Sequence, residues 1–403
     1  MQSFTRFLAL AAAAVPFLAQ AAPISSSVAD TAIPGKWIIQ LKPEADIATV
    51  AAHKLKVREI HARNLARRGG ESGGIEKEYG FGGFKGYSGA FDDTTVDELR
   101  NLPEVLNVEP DSEMTVDALV TQGSIGNAWG LGSISSRTRG ATDYVYDSTA
   151  GQGTFSYVVD TGVRITHNQF QGRAVWGHNA VNNLNSDNFG HGTHVAGTIG
   201  GSTYGVAKNT TIVAVKVFEG NNGSTSVVIA GFDWAVNDIV SKGRANTAVI
   251  NLSLGGGGSA IWDAAISESY AQGVLSVAAS GNSGQSASNF SPGRSPEAIT
   301  VGNIQKSDAR APTSNYGPVV DIFAAGTDVL SAYHTSDTAT QTLSGTSMAA
   351  PHVVGLVSYL RGLEGASSAS SVRARVLALA TPGRVTDAQN SANLLAYNGN
   401  GRR

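Results

Sequence analysis

Gly345-Thr346-Ser347-Met348-Ala349-Ala350-Pro351-His352 lies near the C-terminal end of a chain of 403 residues and places a serine between a glycine and a helix-forming run. The mostly apolar continuation over residues 353–357 predicts a buried helix that begins within this stretch. Ser347 would then lie at the helix N-terminus, where unpaired N–H groups and the helix dipole favour negative charge. An isolated serine at such a position is most often an N-cap. A catalytic interpretation therefore depends on what else the chain contains.

A serine nucleophile needs a base, and the chain has eight histidines from which to choose. His191-Gly192-Thr193-His194 opens a run of small residues that is typical of a helix start. His191 would face outward there, and His194, one turn on, would pack inside. A zinc site at this H-x-x-H pair is the alternative, but the pattern lacks the glutamate of H-E-x-x-H and an acidic third ligand nearby.

Asp160 is the candidate for the acid that orients the base. It follows a β-rich run over residues 155–159 and precedes Thr161-Gly162. An acid after a buried strand is a common position for a catalytic group in α/β folds. The D-T-G triplet also marks aspartic proteases, whose chemistry requires two carboxylates that share a proton. Because the chain contains one such triplet, the orienting acid is the favoured interpretation.

In the order Asp160, His191 and Ser347, the three motifs resemble the signatures of the subtilisin-like serine proteases (peptidase S8). Flanking segments are similar to the proteinase K branch, and within it to the secreted alkaline proteases of filamentous fungi (the oryzin type): residues 127–135, 204–208 and 396–400. The resemblance covers essentially the whole chain. It implies an α/β, subtilisin-like three-layer fold with a mostly parallel sheet, preceded by a small α+β inhibitor-type propeptide.

The resemblance also implies the roles of the residues. Ser347 Oγ would attack the scissile carbonyl, His191 would take and return the proton, and Asp160 would hold the imidazole and stabilise its charged form. Asn282 would offer its side-chain amide to the oxyanion together with the Ser347 N–H. A turn residue after Gly281 is the alternative for Asn282. No cofactor is expected for the chemistry.

Two sets of substrate-binding residues follow from the same resemblance. The first would pair with the substrate as an added strand, which gives affinity with little demand on sequence: Ser253, Leu254 and Gly255. The second would line the pocket for the residue before the cut: Ala278, Ala279 and Gly281. Because the residues that line this pocket are small and uncharged, we predict broad endopeptidase action with an apolar or aromatic preference before the cut. Kexin-like enzymes, which cut after basic pairs, need acidic residues in this pocket.

The N-terminus has the pattern of a secretory signal peptide over residues 1–21. Arg6 precedes an apolar run over residues 7–18, and Ala19-Gln20-Ala21 is typical of a cleavage site. The run is too short to span a bilayer, so we expect a secreted, extracellular protein without a membrane anchor. The chain has no cysteine, which excludes a cysteine protease and indicates stability from a large core rather than from disulfides.

Residues 22–117 differ in charge from the rest of the chain. They hold 11 Lys and Arg against 16 Asp and Glu, whereas residues 118–403 hold 17 against 16. The segment is predicted to contain three strands and two helices, at residues 35–41, 84–91 and 105–111 and at residues 45–66 and 95–102. It resembles an inhibitor I9-like propeptide, whose tail near residues 114–117 would occupy the cleft until self-cleavage near Ala118. An ordinary accessory domain is the alternative.

The remainder, residues 118–403, is the catalytic domain that the resemblance implies, and strand and helix patterns alternate along it. This alternation predicts a parallel sheet with right-handed crossovers and helices on both faces. The strands are expected at residues 212–218, 248–254 and 273–279, and the helices at residues 224–242 and 259–272. The motifs then fall at one edge of the sheet, where sites in α/β proteins form.

The resemblance to the proteinase K branch also implies a structural calcium ion, held by the Asp321 carboxylate and the main-chain carbonyls of Pro296 and Ala298, and oxygen ligands suit calcium. N-glycosylation is expected at three sequons: Asn209, Asn222 and Asn289. A fourth sequon begins at Asn251 on the substrate strand and should remain unmodified. The expected partners are protein substrates and the chain's own propeptide, with no nucleic acid, no membrane and a monomeric state.

Two rival classes of protein share parts of this pattern. A catalytically inactive binding protein on a protease scaffold would normally have lost a member of the triad or the oxyanion asparagine, and all four residues are present. An esterase that uses Ser-His-Asp would carry G-x-S-x-G, with the acid and the histidine after the serine. Neither feature holds here, so the endopeptidase interpretation is favoured.

Overall fold

A computed structural model describes residues 32–68, 73–112, 119–123, 125–126 and 128–401. The predicted signal peptide, the propeptide tail and the predicted cleavage point at Ala118 lie outside these residues. The chain divides into two compact units, Met1–Val116 and Asp117–Arg403, and each has its own hydrophobic core. Within the described ranges, no helix combines the length and the apolar character that crossing a bilayer requires.

The first unit is a four-stranded antiparallel sheet with two helices. Its elements are β1 (Ala32–Leu41), α1 (Ile47–Arg68), β2 (Gly74–Phe81), β3 (Phe84–Ala90), α2 (Asp93–Arg100) and β4 (Val105–Ser112). The strand order is β2-β3-β1-β4. The sequence reading missed β2, because its run Glu76-Lys77-Glu78 is charged and largely exposed. Ile39, Val57 and Tyr87 pack at the centre of the unit.

The second unit contains fifteen strands and six α-helices in its described residues. The strands are β5 (Leu119–Gln122), β6 (Tyr144–Asp147), β7 (Phe155–Asp160), β8 (Ala174–Asn179), β9 (Thr211–Lys216), β10 (Ala248–Leu252), β11 (Gly256–Gly257), β12 (Leu275–Ala279), β13 (Phe290–Ser291), β14 (Ile299–Ile304), β15 (Ile322–Ala325), β16 (Val329–Ala332), β17 (Thr340–Leu343), β18 (Thr381–Pro382) and β19 (Leu394–Leu395). The helices are α3 (Trp129–Ile134), α4 (His191–Gly200), α5 (Thr225–Ser241), α6 (Ala260–Ala271), α7 (Thr346–Leu363) and α8 (Ala369–Leu379), and Ala287–Asn289 form a 3₁₀ turn.

The central sheet has nine strands in the order β18-β19-β15-β14-β12-β10-β7-β9-β8. Every neighbouring pair is parallel except β18 with β19. The mostly parallel sheet expected from the alternating pattern is therefore confirmed. The helices predicted over residues 224–242 and 259–272 correspond to α5 and α6, which Ser224 and Ser259 cap by accepting hydrogen bonds from Val227 N and Trp262 N.

Helices cover both faces of this sheet, which gives the three layers. Side chains alternate along each strand, so Val158 of β7 enters the core beneath α4 and α7, whereas Tyr157 and Val159 enter the core beneath α5 and α6. All three are fully buried. Strands that are apolar on both faces are typical of a parallel sheet enclosed by helices.

The topology brings several chain segments to one edge of the sheet. β7, β10 and β12 are adjacent parallel strands, so their carboxyl ends, at Asp160, Leu252 and Ala279, point the same way. Carboxyl ends of parallel strands are where sites form in open α/β sheets. The helices that carry the other two motifs, α4 and α7, begin at His191 and Thr346.

Candidate active site

Asp160 and His191 form a hydrogen-bonded pair at the end of β7 and the start of α4. His191 Nδ1 lies 2.8 Å from Asp160 Oδ1 and 3.0 Å from Oδ2. The carboxylate is buried and also accepts a hydrogen bond from Thr161 N at 2.7 Å. Because Nδ1 faces the acid, Nε2 is the ring atom that can exchange a proton with another group. The imidazole side chain is 22% exposed, so that exchange has access to the surface.

The surroundings of His191 support its charged form. Burial acts against the imidazolium, but the charge of Asp160, the hydrogen bond that His191 donates to Asp160 and the charge of Asp187 together raise the pKa of His191 above its ordinary value. A histidine whose charged form is stabilised takes a proton more readily. The pair is therefore suited to act as a base that becomes positively charged during a reaction.

Ser347 is the second residue of α7 and is held by Ser253. Its Oγ donates to Ser253 O at 3.1 Å, and Ser253 Oγ donates to Ser347 O at 2.8 Å. The second bond has a cause in the sequence: Pro351, four residues on, has no N–H, so the Ser347 carbonyl lacks its helical partner. Within the described residues no hydrogen bond joins Ser347 Oγ to His191, so the hydroxyl must turn from Ser253 before it can pass a proton to the imidazole.

The N-cap alternative for Ser347 is wrong. The N-cap of α7 is Gly345, which has φ 152° and makes no side-chain capping bond. Glycine suits this backbone, since a positive φ is strained for other residues. Ser347 lies inside the first helical turn, so its hydroxyl is free of the capping role.

Asn282 is oriented by Thr346. Its Oδ1 accepts hydrogen bonds from Thr346 N at 2.8 Å and from Thr346 Oγ1 at 3.0 Å. Thr346 is itself fully buried, and its hydroxyl also accepts a bond from Gly281 N at 3.2 Å. Because the oxygen end of the amide is engaged, the Nδ2 end of this exposed side chain can donate to an external oxygen. A plain turn residue would not need this orientation.

The predicted substrate residues lie at the ends of β10 and β12. Ser253, Leu254 and Gly255 follow β10, and exposure increases along them from buried to exposed. Ala278 and Ala279 are buried, with side chains in the cores on opposite faces of the sheet. They could meet a substrate only through the main chain, so their role as pocket lining stays a prediction.

Asp321 has a half-buried, partly neutralised carboxylate at the predicted calcium position. Its Oδ2 accepts a hydrogen bond from Thr300 N at 2.8 Å, and its Oδ1 pairs with Arg373 Nη2 at 3.2 Å. Burial nevertheless raises the pKa of Asp321 above its ordinary value, against both partners. A half-buried carboxylate whose charge is not fully compensated suits a hard cation such as calcium, and the main-chain carbonyls of Pro296 and Ala298 stay predicted ligands.

The sequons differ in their surroundings. Asn209 is exposed, but its Nδ2 donates to Ser148 O at 3.1 Å and to Thr149 O at 3.0 Å, so the atom that would carry a glycan is already bonded. Asn222 and Asn289 are exposed. Asn251 is fully buried, which agrees with the expectation that it remains unmodified.

His194 does not share the position of His191. Its ring is fully buried, and Nε2 lies 2.9 Å from Val329 O and 3.1 Å from Gln341 O. The two histidines of the H-x-x-H pair therefore face different surroundings, as the sequence predicted. Across the described ranges no group of three or more His, Cys, Asp or Glu is arranged to hold a metal ion.

The sequence reading missed Asp187 and Thr346. Asp187 lies four residues before His191 and is buried, and Thr346 immediately precedes the candidate nucleophile. Thr346 bonds Asn282, 64 positions away, and Asp187 combines local bonds with one to Thr161, 26 positions away. The sequence offered one indication of the role of Asp187, an acidic residue three positions before the glycine that precedes the predicted helix.

Comparisons with known proteins agree with this arrangement. The description "Subtilase family" matches residues 151–401, and "Peptidase inhibitor I9" matches residues 36–117. Alkaline protease 1 of Aspergillus clavatus is 53% identical, covering 99% of this chain and 100% of that protein. Alkaline proteinase of Hapsidospora chrysogena is 50% identical, covering 98% and 99%. A solved cold-adapted subtilisin-like serine proteinase superposes with a TM-score of 0.63 at 40% identity, covering 67% of this chain and 97% of the other.

Proposed function

This chain belongs to the subtilase family and is a serine endopeptidase made as a zymogen, and we propose that Asp160, His191 and Ser347 are the residues with which it hydrolyses peptide bonds. The observation that carries the assignment is the pair of 2.8 and 3.0 Å contacts from His191 Nδ1 to the buried Asp160 carboxylate. Ser347, at the start of α7, is the serine of the third family motif.

The proposed reaction proceeds in two halves. Ser347 Oγ leaves its bond to Ser253 O and attacks the scissile carbonyl carbon while His191 Nε2 takes its proton. Asp160 stabilises the imidazolium that forms. His191 then protonates the leaving nitrogen, the C–N bond breaks, and an ester to Ser347 remains. Water repeats the sequence and releases the acid. No cofactor takes part in this chemistry.

We assign the oxyanion to Asn282 Nδ2 and the Ser347 N–H. The support is the anchoring of Asn282 Oδ1 by Thr346, which aims the donor end of the amide outward before substrate arrives. Donors that are oriented in advance stabilise developing charge without reorganisation. Ser253, Leu254 and Gly255 would pair with the substrate, and a small uncharged pocket with Gly281 would accept an apolar or aromatic residue before the cut.

The chain carries its own inhibitor segment, and we propose its boundaries as a signal peptide over residues 1–21, a propeptide over residues 22–117 and a catalytic domain over residues 118–403. The support is the signal-like N-terminus, the change in charge at residue 117 and the match of residues 36–117 to an inhibitor family. Secretion, a monomeric state and glycosylation at Asn222 and Asn289 belong to the same proposal. Asn209 is the least favoured of the three sequons.

A calcium ion would be structural. Asp321 would hold it with the carbonyls of Pro296 and Ala298, and it would neutralise a half-buried carboxylate near the start of β15. It would supply no chemistry at Ser347.

The direct test is expression of the full chain and of its Ser347→Ala variant. The wild type should clear casein, lose that activity to a serine-directed inhibitor and shorten by the length of its propeptide, since the same nucleophile performs the self-cleavage. Ser347→Ala should remain full length and inactive, whereas Ser370→Ala, at an exposed serine of α8, should behave as wild type. Casein clearing by Ser347→Ala would refute the assignment.

A further inference from the structure

Asp187 is a buried carboxylate that accepts five hydrogen bonds and has no ion-pair partner within the described part of the chain. Its Oδ1 accepts from Thr161 Oγ1 at 2.8 Å, Gly190 N at 2.7 Å and Phe189 N at 3.1 Å. Its Oδ2 accepts from Thr193 N at 2.9 Å and Thr193 Oγ1 at 2.6 Å. All five partners donate a hydrogen to Asp187, so position 187 needs a side chain that accepts on both of its oxygens.

Helix α4 cannot provide its own cap. The N-cap residue is Gly190, with φ 97° and no side chain. A Cβ at this position would overlap the ring of Tyr333 and Nδ1 of His334, and the positive φ would strain any other residue. Serine, threonine and aspartate are therefore excluded from the position where they usually satisfy the first N–H groups of a helix.

Two residues outside the helix replace that cap, and they anchor the backbone on both sides of His191. Gly192 N donates to Thr161 Oγ1 at 2.9 Å, and Thr193 N donates to Asp187. Gly190 N, on the other side, also donates to Asp187. The position of the imidazole thus depends on a carboxylate and a hydroxyl that do not touch it.

Thr161 also connects the base to the acid. It follows Asp160 directly, and its hydroxyl accepts from Gly192 N while it donates to Asp187 Oδ1. Its own N–H donates to Asp160 Oδ1 at 2.7 Å. One hydroxyl therefore joins the segment that carries the acid to the segment that carries the base.

We propose that Asp187, acting with Thr161, is a positioning residue for catalysis: the two side chains fix the start of α4 so that His191 Nδ1 stays in hydrogen-bond contact with Asp160. This inference rests on the proposed role of His191 as the base. It adds a residue four positions before the histidine to the machinery of the reaction. Small displacements of a reacting group lower rates steeply, so a support of this kind has a direct kinetic effect.

The charge of Asp187 has a second effect that can be measured. It acts with Asp160 to raise the pKa of His191, against burial. Lys216 Nζ contacts the network through Thr161 O at 3.2 Å and Ser186 O at 2.9 Å, and neither bond involves the Asp187 side chain. The other titratable side chains around this region are Asp160, Glu219, His194 and His334, and the Arg164 guanidinium is paired with Asp337.

The test is Asp187→Asn in the full chain, with rates referred to active sites titrated by a serine-directed inhibitor. The amide replaces one acceptor oxygen by a donor that faces other donors. We expect kcat to fall about 10- to 100-fold with KM little changed. The acidic limb of the kcat/KM profile should move to lower pH, because a charge that raises the pKa of His191 is lost. A purely structural role would lower the thermal midpoint and leave both kcat and the limb in place, which would overturn the proposal.

A matched control is Asp147→Asn. Asp147 is also buried and accepts bonds from Thr149 N at 2.9 Å and Thr149 Oγ1 at 2.7 Å, at the end of β6. This variant should lose thermal stability without a change in kcat or in the pH limb. A wild-type chain without protease activity would contradict the proposed function instead of this inference.

A pair of variants at Thr161 decides the matter if Asp187→Asn does not fold. Thr161→Val removes the hydroxyl that bonds Gly192 N and Asp187, and should lower kcat about tenfold. Thr161→Ser keeps the hydroxyl and should restore most of the loss. Equal kcat for the valine and serine variants would overturn the proposal.

Discussion

Hydrogen bonds to Ser253 hold the Ser347 side chain and carbonyl at the start of α7. Pro351 removes the helical partner of the Ser347 carbonyl, and Ser253 then bonds both the carbonyl and the hydroxyl of the serine. The nucleophile is thereby held close to the segment proposed to bind substrate. A substrate backbone that pairs with Ser253 O would compete for the bond that holds the hydroxyl, which would release it toward His191.

At the same scale, Asn282→Ala should lower kcat about 10²- to 10³-fold, because it removes the side-chain donor proposed for the oxyanion. KM should change little, since the ground-state carbonyl carries less charge than the transition state. Gln285→Ala removes an exposed amide three residues on and should leave kcat unchanged. Steady-state kinetics on a peptide substrate compare the two, and equal rates would remove Asn282 from the site.

Several glycines lie where a helix packs closely against the sheet and leaves no room for a side chain. Gly231 of α5 faces Val217 and Val215, and a Cβ there would overlap Val217 Cγ1. The helix can approach β9 because this position has no side chain. The same principle places Gly192 of α4 against the Gly162 carbonyl, next to the acid of the site.

Gly231→Ala should therefore destabilise the fold by about 1–3 kcal/mol, because the added methyl forces α5 away from β9. Thermal unfolding of the inhibited enzyme measures the loss. The rate per titrated active site should not change, since the contact lies in the core beneath α5 and α6. Ala230→Ser, on the exposed side of the same helix, should leave the midpoint unchanged. A midpoint for Gly231→Ala equal to wild type would contradict the packing argument.

Asp321 connects two elements, since it precedes β15 and pairs with Arg373 of α8. If calcium binds there, a chelator should lower the thermal midpoint of the inhibited wild type, and added calcium should restore it. Asp321→Asn should lower the midpoint and abolish the chelator effect, because the amide has no charge to attract the ion. A chelator effect that survives in Asp321→Asn would place the ion elsewhere.

Burial shifts several titratable groups of the second unit toward their neutral forms. Burial lowers the pKa of His194 and of His352 to about 4. It also lowers the pKa of Lys208 to about 7, although the ammonium contacts Thr203 O at 3.2 Å and Gly205 O at 3.1 Å. Burial in addition raises the pKa of Tyr359 to about 12.

From these pKa shifts we predict that the free energy of unfolding rises with pH and then falls. Unfolded histidines take up protons below about 6.5, so the fold loses stability as pH falls from there toward 4. Below pH 7, Lys208 lowers the free energy of unfolding, because its charged form is buried in the folded state. This loss of stability becomes smaller as the pH rises from 7 toward 10.5, the pKa of an unfolded lysine. Above pH 10 the unfolded tyrosines ionise first, which lowers stability again.

The thermal midpoint of the inhibited enzyme should thus be highest between about pH 8 and 10. Lys208→Met should flatten the rise between pH 7 and 10, because the methionine has no charge to bury. Scans at one fixed heating rate across this range provide the comparison. An equally steep rise in Lys208→Met would assign the dependence to other groups.

Local sequence patterns predicted most of the helices and parallel strands, but few of the hydrogen bonds that hold the site residues in place. Amphipathic and apolar runs predicted α5, α6 and the parallel strands, because burial of whole faces follows from periodicity. The prediction failed at β2, where the exposed charged run has no apolar face. Asp187 was missed because its bond to Thr161 forms only when the end of β7 lies beside the start of α4.

The sequence by itself determined the family, the parallel α/β fold and the identity of the candidate acid, base and nucleophile, since these depend on motifs and periodicities within short stretches. The tertiary structure alone decided how the groups are held: Ser347 on Ser253, Asn282 on Thr346, and His191 between bonds to Asp187 and Thr161. The physical reason is that a hydrogen bond depends on distance and direction within about 3 Å, and residues far apart along the chain reach that range only when the sheet and its helices have assembled.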